Sequence, residues 1–259
     1  MILTERNFWE TTWRNRAAWT KPRRLSYFHH HLQQLLLRYA TPQTTACEIG
    51  CGGSVWLPFL ARHGITVWGI DYSAAGIALA QQHVQRAGVT ATLVQADVFE
   101  GDALPDDFFD LVFSVGFVEH FHDTDFVFER LAAALRPDGV MLTLVPNLTG
   151  AWGAVQRWVD PAVYALHVLY TPETLDTVHT HSGLVVVEPA RYFGGFGPLV
   201  VNYTRLLQRL PRVMARAVVG TLWLIQQTAA WGATRFPRQG ESQSLSSYVA
   251  GVYRRPPKG

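Results

Sequence analysis

The stretch ACEIGCGGS, residues 46–54, decides how the rest of the chain is read. Ala46 to Gly50 reads as a short apolar strand running into glycines, and Val55 to His63 as the helix that the turn opens, closed by Gly64. Gly50 and Gly52 allow tight backbone angles and leave no side chain between backbone and ligand. The helix beginning just beyond them offers N–H groups that have no partner within the helix. The spacing is G-x-G-G rather than G-x-G-x-x-G, which weakens a dinucleotide reading. No lysine or arginine lies between Gly50 and Ser54, which argues against a triphosphate. On its own, such a turn is as readily structural as ligand-binding.

Working outward, strands and helices alternate. Ile65 to Ile70 is a predicted strand ending in Asp71, and Ala74 to Arg86 a helix closed by Gly88. Thr92 to Ala96 is a strand ending in Asp97, and Asp110 to Val115 is the next strand. Asp125 to Leu135 is a helix stopped by Arg136-Pro137-Asp138-Gly139, and Val140 to Val145 a strand ended by Pro146. Apolar strands alternating with amphipathic helices predict an α/β fold, a parallel sheet covered on both faces. The second and third strands end in acids, and adjacent strand ends in such a sheet face one crevice. A carboxylate at Asp71 can accept both hydroxyls of a ribose. A second acid with a backbone amide, at Asp97, suits an adenine edge. A glycine turn and two acids so placed make a nucleoside site.

Beyond Pro146 the regularity breaks. Residues 147–170 are rich in Trp, Tyr, Pro and Gly; Pro172 to His181 reads as a helix and Leu184 to Phe193 as a strand. A long, largely helical and apolar stretch follows. Ser247 to Arg254 alternates as a last strand, placed antiparallel beside its predecessor. The N-terminal residues read as two helices, one carrying Trp9 and Trp13, the other running from Leu25 to Tyr39. Residues 1–41 are expected to form a helical cap and residues 42–259 the main domain, with insertions near 147–170 and 197–243. Trp9, Trp13, Trp19 and Tyr27 are candidates for covering the site.

Composition narrows the function. Charged residues make up 16% and apolar residues 48% of the 259, which excludes a disordered chain. The formal net charge is +2 with no basic block, so nucleic acid is not an expected partner. Cys47 and Cys51 are too close to frame a disulfide network, and with no apolar leader at Met1 to Glu10 a cytoplasmic protein is expected. Neither the cysteine spacing nor the run His29, His30, His31 predicts a metal site. Residues 217–234 carry no charge. Their glycines and glutamines disfavour a membrane span. The expectation there is a helix packed on its own domain or on a homodimer partner, with membrane-surface contact as the alternative.

The segments EIGCGGS (48–54), GIDYS (69–73), QADV (95–98), FDLVFSVGFVEHF (109–121) and LRPDGVMLTLVPN (135–147) follow in order. Their order and spacing resemble those of class I S-adenosylmethionine-dependent methyltransferases over residues 45–147. One departure is visible: Gly53 and Ser54 follow Gly52, so the third glycine of the usual run is missing. The resemblance implies a Rossmann-like methyltransferase fold, a mostly parallel seven-stranded sheet with an antiparallel last strand. It implies S-adenosylmethionine as cofactor and S-adenosylhomocysteine as product. It implies that Glu48, Gly50 and Gly52 shape the loop under the methionine part, that Asp71 takes the ribose hydroxyls and that Tyr72 packs on the adenine. Asp97 and Val98 would meet the adenine edge, and Ser114 and Val115 would sit near the sulfonium. The acceptor is expected to be a small molecule, with oxygen slightly favoured over nitrogen or sulfur. The alternative is a non-catalytic protein that binds the cofactor.

Transfer to oxygen usually needs a base, and a histidine suits neutral pH. His120 is the expected base, with Glu119 orienting it or holding acceptor charge; His122 and Asp123 are alternatives.

Overall fold

A computed structural model describes residue 4 and residues 6–17, 27–235 and 241–257. Its frame grows from the strand β1 (Thr45–Ile49), whose last four residues are all buried. β1 lies between β2 (Thr66–Asp71) and β4 (Phe109–Val115), parallel to both. β3 (Thr92–Gln95) continues the parallel set beyond β2, and β5 (Leu135–Pro146) continues it beyond β4. The last two strands are β6 (Val185–Phe196) and β7 (Ser246–Arg254). The order is β3-β2-β1-β4-β5-β7-β6, with β7 antiparallel to both of its neighbours. This is the seven-stranded sheet expected from the sequence.

The helices pack on both faces. α2 (Tyr27–Tyr39) and α3 (Trp56–Arg62) bury Leu32, Leu35, Leu36, Leu57 and Leu60 against one face. α5 (Thr124–Ala133) buries Val127, Phe128 and Leu131 against the other, where α8 (Pro172–His181) adds Leu175. β4 feeds both cores: Leu111 and Phe113 join the first, Phe109 and Val112 the second. Strand side chains alternate between faces. The register of β4 on β5 shifts between Phe109 and Leu111, an irregularity of the kind that redirects a strand's side chains.

Three elements depart from the sequence reading. β5 starts at Leu135, so Arg136-Pro137-Asp138-Gly139 lies within it rather than before it. Asp138 adopts a positive φ of 65° there. Residues 147–170 contain two helices, α6 (Ala151–Val159) and α7 (Pro161–Tyr164), separated where Asp160 accepts from the Val163 N–H. β6 runs on to Phe196 through Gly194 and Gly195. Both glycines have positive φ, and a Cβ at Gly194 would meet the Phe28 ring of α2.

α9 (Thr204–Gln208) and α10 (Arg212–Arg235) fill the late insertion, and α10 packs on β6 and the turn Pro198–Val200. No helix among the described residues is long and apolar enough to cross a membrane. α10 still leaves Val213, Met214, Leu224 and Ile225 exposed.

Candidate active site

The carboxyl ends of β1, β2 and β4 meet at the glycine turn. Ile70 O accepts from both Gly50 N (2.9 Å) and Cys51 N (3.2 Å), which pins the turn to β2. Gly50 needs its positive φ of 70° for this path, a region open to glycine without steric cost. Gly53 N donates to Gly76 O at 3.1 Å, tying the turn to the first residues of α4 (Ala74–Ala87).

Ser54 explains the missing third glycine. Its Oγ accepts from the N–H groups of Trp56 and Leu57, both at 3.1 Å, and so caps α3. The same hydroxyl donates to the Glu48 carboxyl. A serine in place of the glycine thus couples a helix start to a buried acid.

Glu48 is 4% exposed, and burial pushes its pKa up to about 8; the Ser54 hydrogen bond opposes this and the charge of Asp71 adds to it. Its ordinary value is 4.5. A carboxyl raised on folding contributes stability that is full below the unfolded value and lost as pH rises through the folded one. Glu48→Gln, always neutral, is therefore expected to match the parent near pH 5 and to melt higher at pH 8.5, by about 3 °C or more. Thermal melts at the two pH values test this, and equal shifts at both would remove Glu48 from the pH dependence.

Asp71 ends β2 with both oxygens held. Oδ2 accepts from Gly52 N at 2.7 Å and Oδ1 from Ser73 N at 2.8 Å. Desolvation raises its pKa, against the pull of those two amides. A Cβ on Gly52 would run into Asp71 Oδ2 and the Trp13 indole. A glycine is thus the residue that lets the Asp71 carboxylate and the Trp13 indole both approach the turn. Tyr72 is half-buried beside it, while Asp97 is half-buried at the next strand end, where its Oδ1 accepts from Phe99 N at 3.1 Å. Val98 is buried in the core. Ser114 is 2% exposed and Val115 half-buried at the end of β4, so the structure brings the sequence-named residues to one edge of the sheet.

α1 (Arg6–Ala17) lies over this edge and packs on α4. Trp13 stands against Gly52, Gly53 and Gly76, and Trp9 stacks beside it at 6.0 Å. Glu10, which no local sequence pattern singles out, accepts from Ser73 Oγ (2.7 Å) and Ala75 N (3.2 Å) at the start of α4. A carboxylate there is favoured by the helix dipole, and these hydrogen bonds hold the pKa of Glu10 below its ordinary value. Trp19 lies outside the described residues. Tyr27 belongs to α2 and packs on His31, at 3.8 Å between ring centroids.

Past β4 a 3-10 turn, Val118–His120, buries Glu119 and His120. His120 Nδ1 lies 2.9 Å from Leu166 O, so this nitrogen carries the proton and Nε2 presents its lone pair. Burial lowers its pKa to about 3, with the neighbouring His167 adding to the effect. Trp9 meets His120 edge to face at 5.0 Å. Glu119 Oε1 is 3.7 Å from His120 Nε2, and neither Glu119 oxygen has a hydrogen-bond partner. Burial pushes its pKa up to about 8, eased by its own backbone amide. His122 and Asp123 instead point outward, and Asp123 caps α5 through the Phe126 N–H.

Residues 47–143 match the family model described as a methyltransferase domain. Over 180 residues the chain is 31% identical to a ubiquinone biosynthesis O-methyltransferase of Rhizobium leguminosarum bv. trifolii, covering 62% of this chain and 70% of that one. It is 32% identical over 146 residues to the enzyme of the same name from a Chelativorans species, covering 53% of this chain and 57% of the relative. Among solved structures, the crystal structure of the cyclase SpnF superposes with a TM-score of 0.60 at 15% identity, over 88% of this chain and 81% of that one. That last likeness speaks to the fold alone.

Proposed function

Because the chain belongs to the class I S-adenosylmethionine-dependent methyltransferases, we propose that it methylates a hydroxyl oxygen of a small aromatic acceptor seated against Glu119 and His120. The cofactor is S-adenosylmethionine, and the cradle suits it. Gly52 adds no Cβ to crowd the carboxylate, and each Asp71 oxygen, already oriented by one backbone amide, keeps a lone pair for a ribose hydroxyl. When bound, the cofactor supplies an electrophilic methyl on a sulfonium. The protein's part is to align the acceptor oxygen with that methyl and to exclude water.

The observation that carries the oxygen reading is the buried Glu119–His120 pair at the end of β4. An amine or thioether would need no group to take a proton. The tautomer of His120 leaves Nε2 free to receive one, although burial makes this imidazole a weak base. The relatives' name, ubiquinone biosynthesis O-methyltransferase, supports a phenolic acceptor. Ser114 and Val115 are assigned to the sulfonium end, Tyr72, Asp97 and Val98 to the adenine, and Glu48, Gly50 and Gly52 to the methionine part. A cytoplasmic location belongs to the same proposal, supported by two buried free thiols, Cys47 and Cys51. If the acceptor carries a lipid tail, the exposed apolar residues of α10 are where the protein would meet its bilayer.

The test is methyl transfer from labelled S-adenosylmethionine to a panel of phenols, catechols, amines and thiols. Labelled methyl ethers are expected. Labelling confined to amines or thiols would overturn the oxygen reading.

Trp13 makes a further claim testable. Because α1 lays this indole on the glycine turn, cofactor exchange must work around it. Trp13→Ala is expected to speed S-adenosylhomocysteine dissociation about tenfold, the effect of roughly 1.4 kcal/mol of lost apolar contact. Stopped-flow release measures this, and an unchanged rate would show that α1 does not gate the groove.

A further inference from the structure

We propose that Glu10 is a positioning residue for methyl transfer: it latches α1 to the start of α4, so that the Trp9 ring is held over His120 and closes the acceptor site. This role rests on the reading that the acceptor is seated at His120, not on which atom the acceptor presents. α1 is twelve residues long and polar, with Phe8, Trp9 and Trp13 as its only large apolar side chains. A helix of that length is marginal alone and stays folded through what it packs on. It reaches both banks of the groove. On the cofactor bank, Trp13 lies against Gly52, Gly53 and Gly76. On the other bank, Trp9 meets the His120 ring edge to face at 5.0 Å. The two indoles stand one turn apart on one face of α1 and stack at 6.0 Å. Where one of them sits therefore sets where the other can sit.

Glu10 fixes the helix in this place. One of its carboxylate oxygens accepts from both Ser73 Oγ and Ala75 N, at 2.7 and 3.2 Å. Ser73 itself caps α4, since its Oγ accepts from Gly76 N at 3.1 Å, and its own N–H holds Asp71 Oδ1 at 2.8 Å. The latch is thus built onto the residue that also orients the carboxylate assigned to the ribose. Hydrogen bonds to an ionised group are among the strong ones, and a negative charge is favoured at the N-terminus of α4. The other Glu10 oxygen pairs with Arg14 at 3.0 Å, within α1. Arg14 is 71% exposed, and a surface pair of this kind adds little. Trp9 Nε1 donates to Thr4 Oγ1 at 3.1 Å, a contact inside the same N-terminal segment.

His120 is 5% exposed, and its ring has two aromatic neighbours, Trp9 and His167, the latter at 4.6 Å between centroids. Trp9 is the one that a movement of α1 would carry away. With the latch made, the acceptor has a wall on this side, water is kept out and the line of approach to the methyl is fixed. With the latch open, the acceptor loses that wall and binds more weakly. Glu10 acts on the reaction through Trp9. Its place on α1 lets one carboxylate, held at the cofactor end of the groove, govern a ring at the acceptor end.

The experiment reads the cover over His120 in the full chain. The probe is diethyl pyrocarbonate, which acylates neutral imidazoles, with mass spectrometry to locate the product. His122, exposed two residues further on, is the internal reference. In Glu10→Ala the ratio of the His120 to the His122 rate should rise about tenfold or more, the effect of losing hydrogen bonds to a charged group. Glu10→Gln keeps the shape and loses the charge, so its rise should be smaller. Arg14→Ala should leave the ratio at the parent value. Trp9→Ala should raise it at least as far as Glu10→Ala. The double variant should go no further than Trp9→Ala alone, the non-additivity of two groups that act through one contact. A ratio unchanged in both Glu10 variants would overturn the latch, and additive effects would overturn its action through Trp9. Among the acceptors tested for methyl transfer, the one that takes label should show its KM raised about tenfold in Glu10→Ala, more than any fall in kcat. A raised acylation ratio with an unchanged KM would overturn the positioning role. Label confined to amines or thiols would overturn the oxygen reading and leave the latch standing.

Discussion

Asp71→Ala is expected to weaken binding of S-adenosylmethionine and S-adenosylhomocysteine by about 100-fold or more while leaving the fold intact. A hydrogen bond to a charged group contributes roughly 1.5–3 kcal/mol, and a ribose diol would make two of them here. The carboxylate is already aimed, because Gly52 N and Ser73 N hold one oxygen each. Little ordering then remains to be done when the diol arrives. Asp71→Asn keeps the shape and one acceptor oxygen, and its loss should be intermediate. Calorimetric titration with S-adenosylhomocysteine measures both, with circular dichroism as the check on folding. Unchanged affinity in Asp71→Ala would falsify the assignment of the ribose to this strand end.

The second large effect is expected at the other end of the groove. His120→Ala should cut turnover by about 100-fold to 1,000-fold, within the range for a group that assists proton loss, while S-adenosylhomocysteine affinity changes by no more than about threefold. The alanine also removes the contact to Leu166 O, which braces the segment carrying His167. His120→Asn separates the two roles, since its amide can still donate to that carbonyl but offers no lone pair in place of Nε2. If the asparagine variant turns over as slowly as the alanine variant, the free nitrogen matters to the reaction. If it recovers the parent rate, His120 is a brace and no more. Together the variants divide the site: Asp71 should move binding without touching the chemistry of the bound complex, and His120 the reverse.

The parts of this protein that could be read along the chain are those whose causes are local. β1, β2 and β4 are buried apolar runs, and each of the first two stops at a glycine or an acid for a reason visible within a few residues. Asp71 and Asp97 follow from strand-end position, and Glu119 and His120 from the family resemblance just past β4. The contacts of Glu10 and His167 do not, because each is made with a distant segment: Ser73 and Ala75 for the first, His120 just past β4 for the second. The start of β5 was hidden by Pro137 and Gly139, residues that usually end an element. Here Arg255 N donates to Gly139 O at 2.9 Å and Asp138 N to Arg255 O at 3.0 Å, so a partner from beyond β7 keeps the chain extended. The helices α6 and α7 were obscured in the same way, by an Asp160-Pro161 step that reads as a break and proves to be a junction capped by Asp160.

The placing of β7 between β5 and β6 also governs how the molecule can be born. Once a ribosome has delivered residues up to 196, six of the seven strands exist, yet β5 and β6 share no ladder in the finished sheet and cannot settle against each other. The gap waits for residues 246–254. At the roughly 5–20 residues per second of translation, that wait lasts about 3–10 s. For those seconds the nascent chain carries two unpaired strand edges, the feature most prone to mispairing. It is during synthesis, rather than in the completed enzyme, that this sequence has most need of a chaperone.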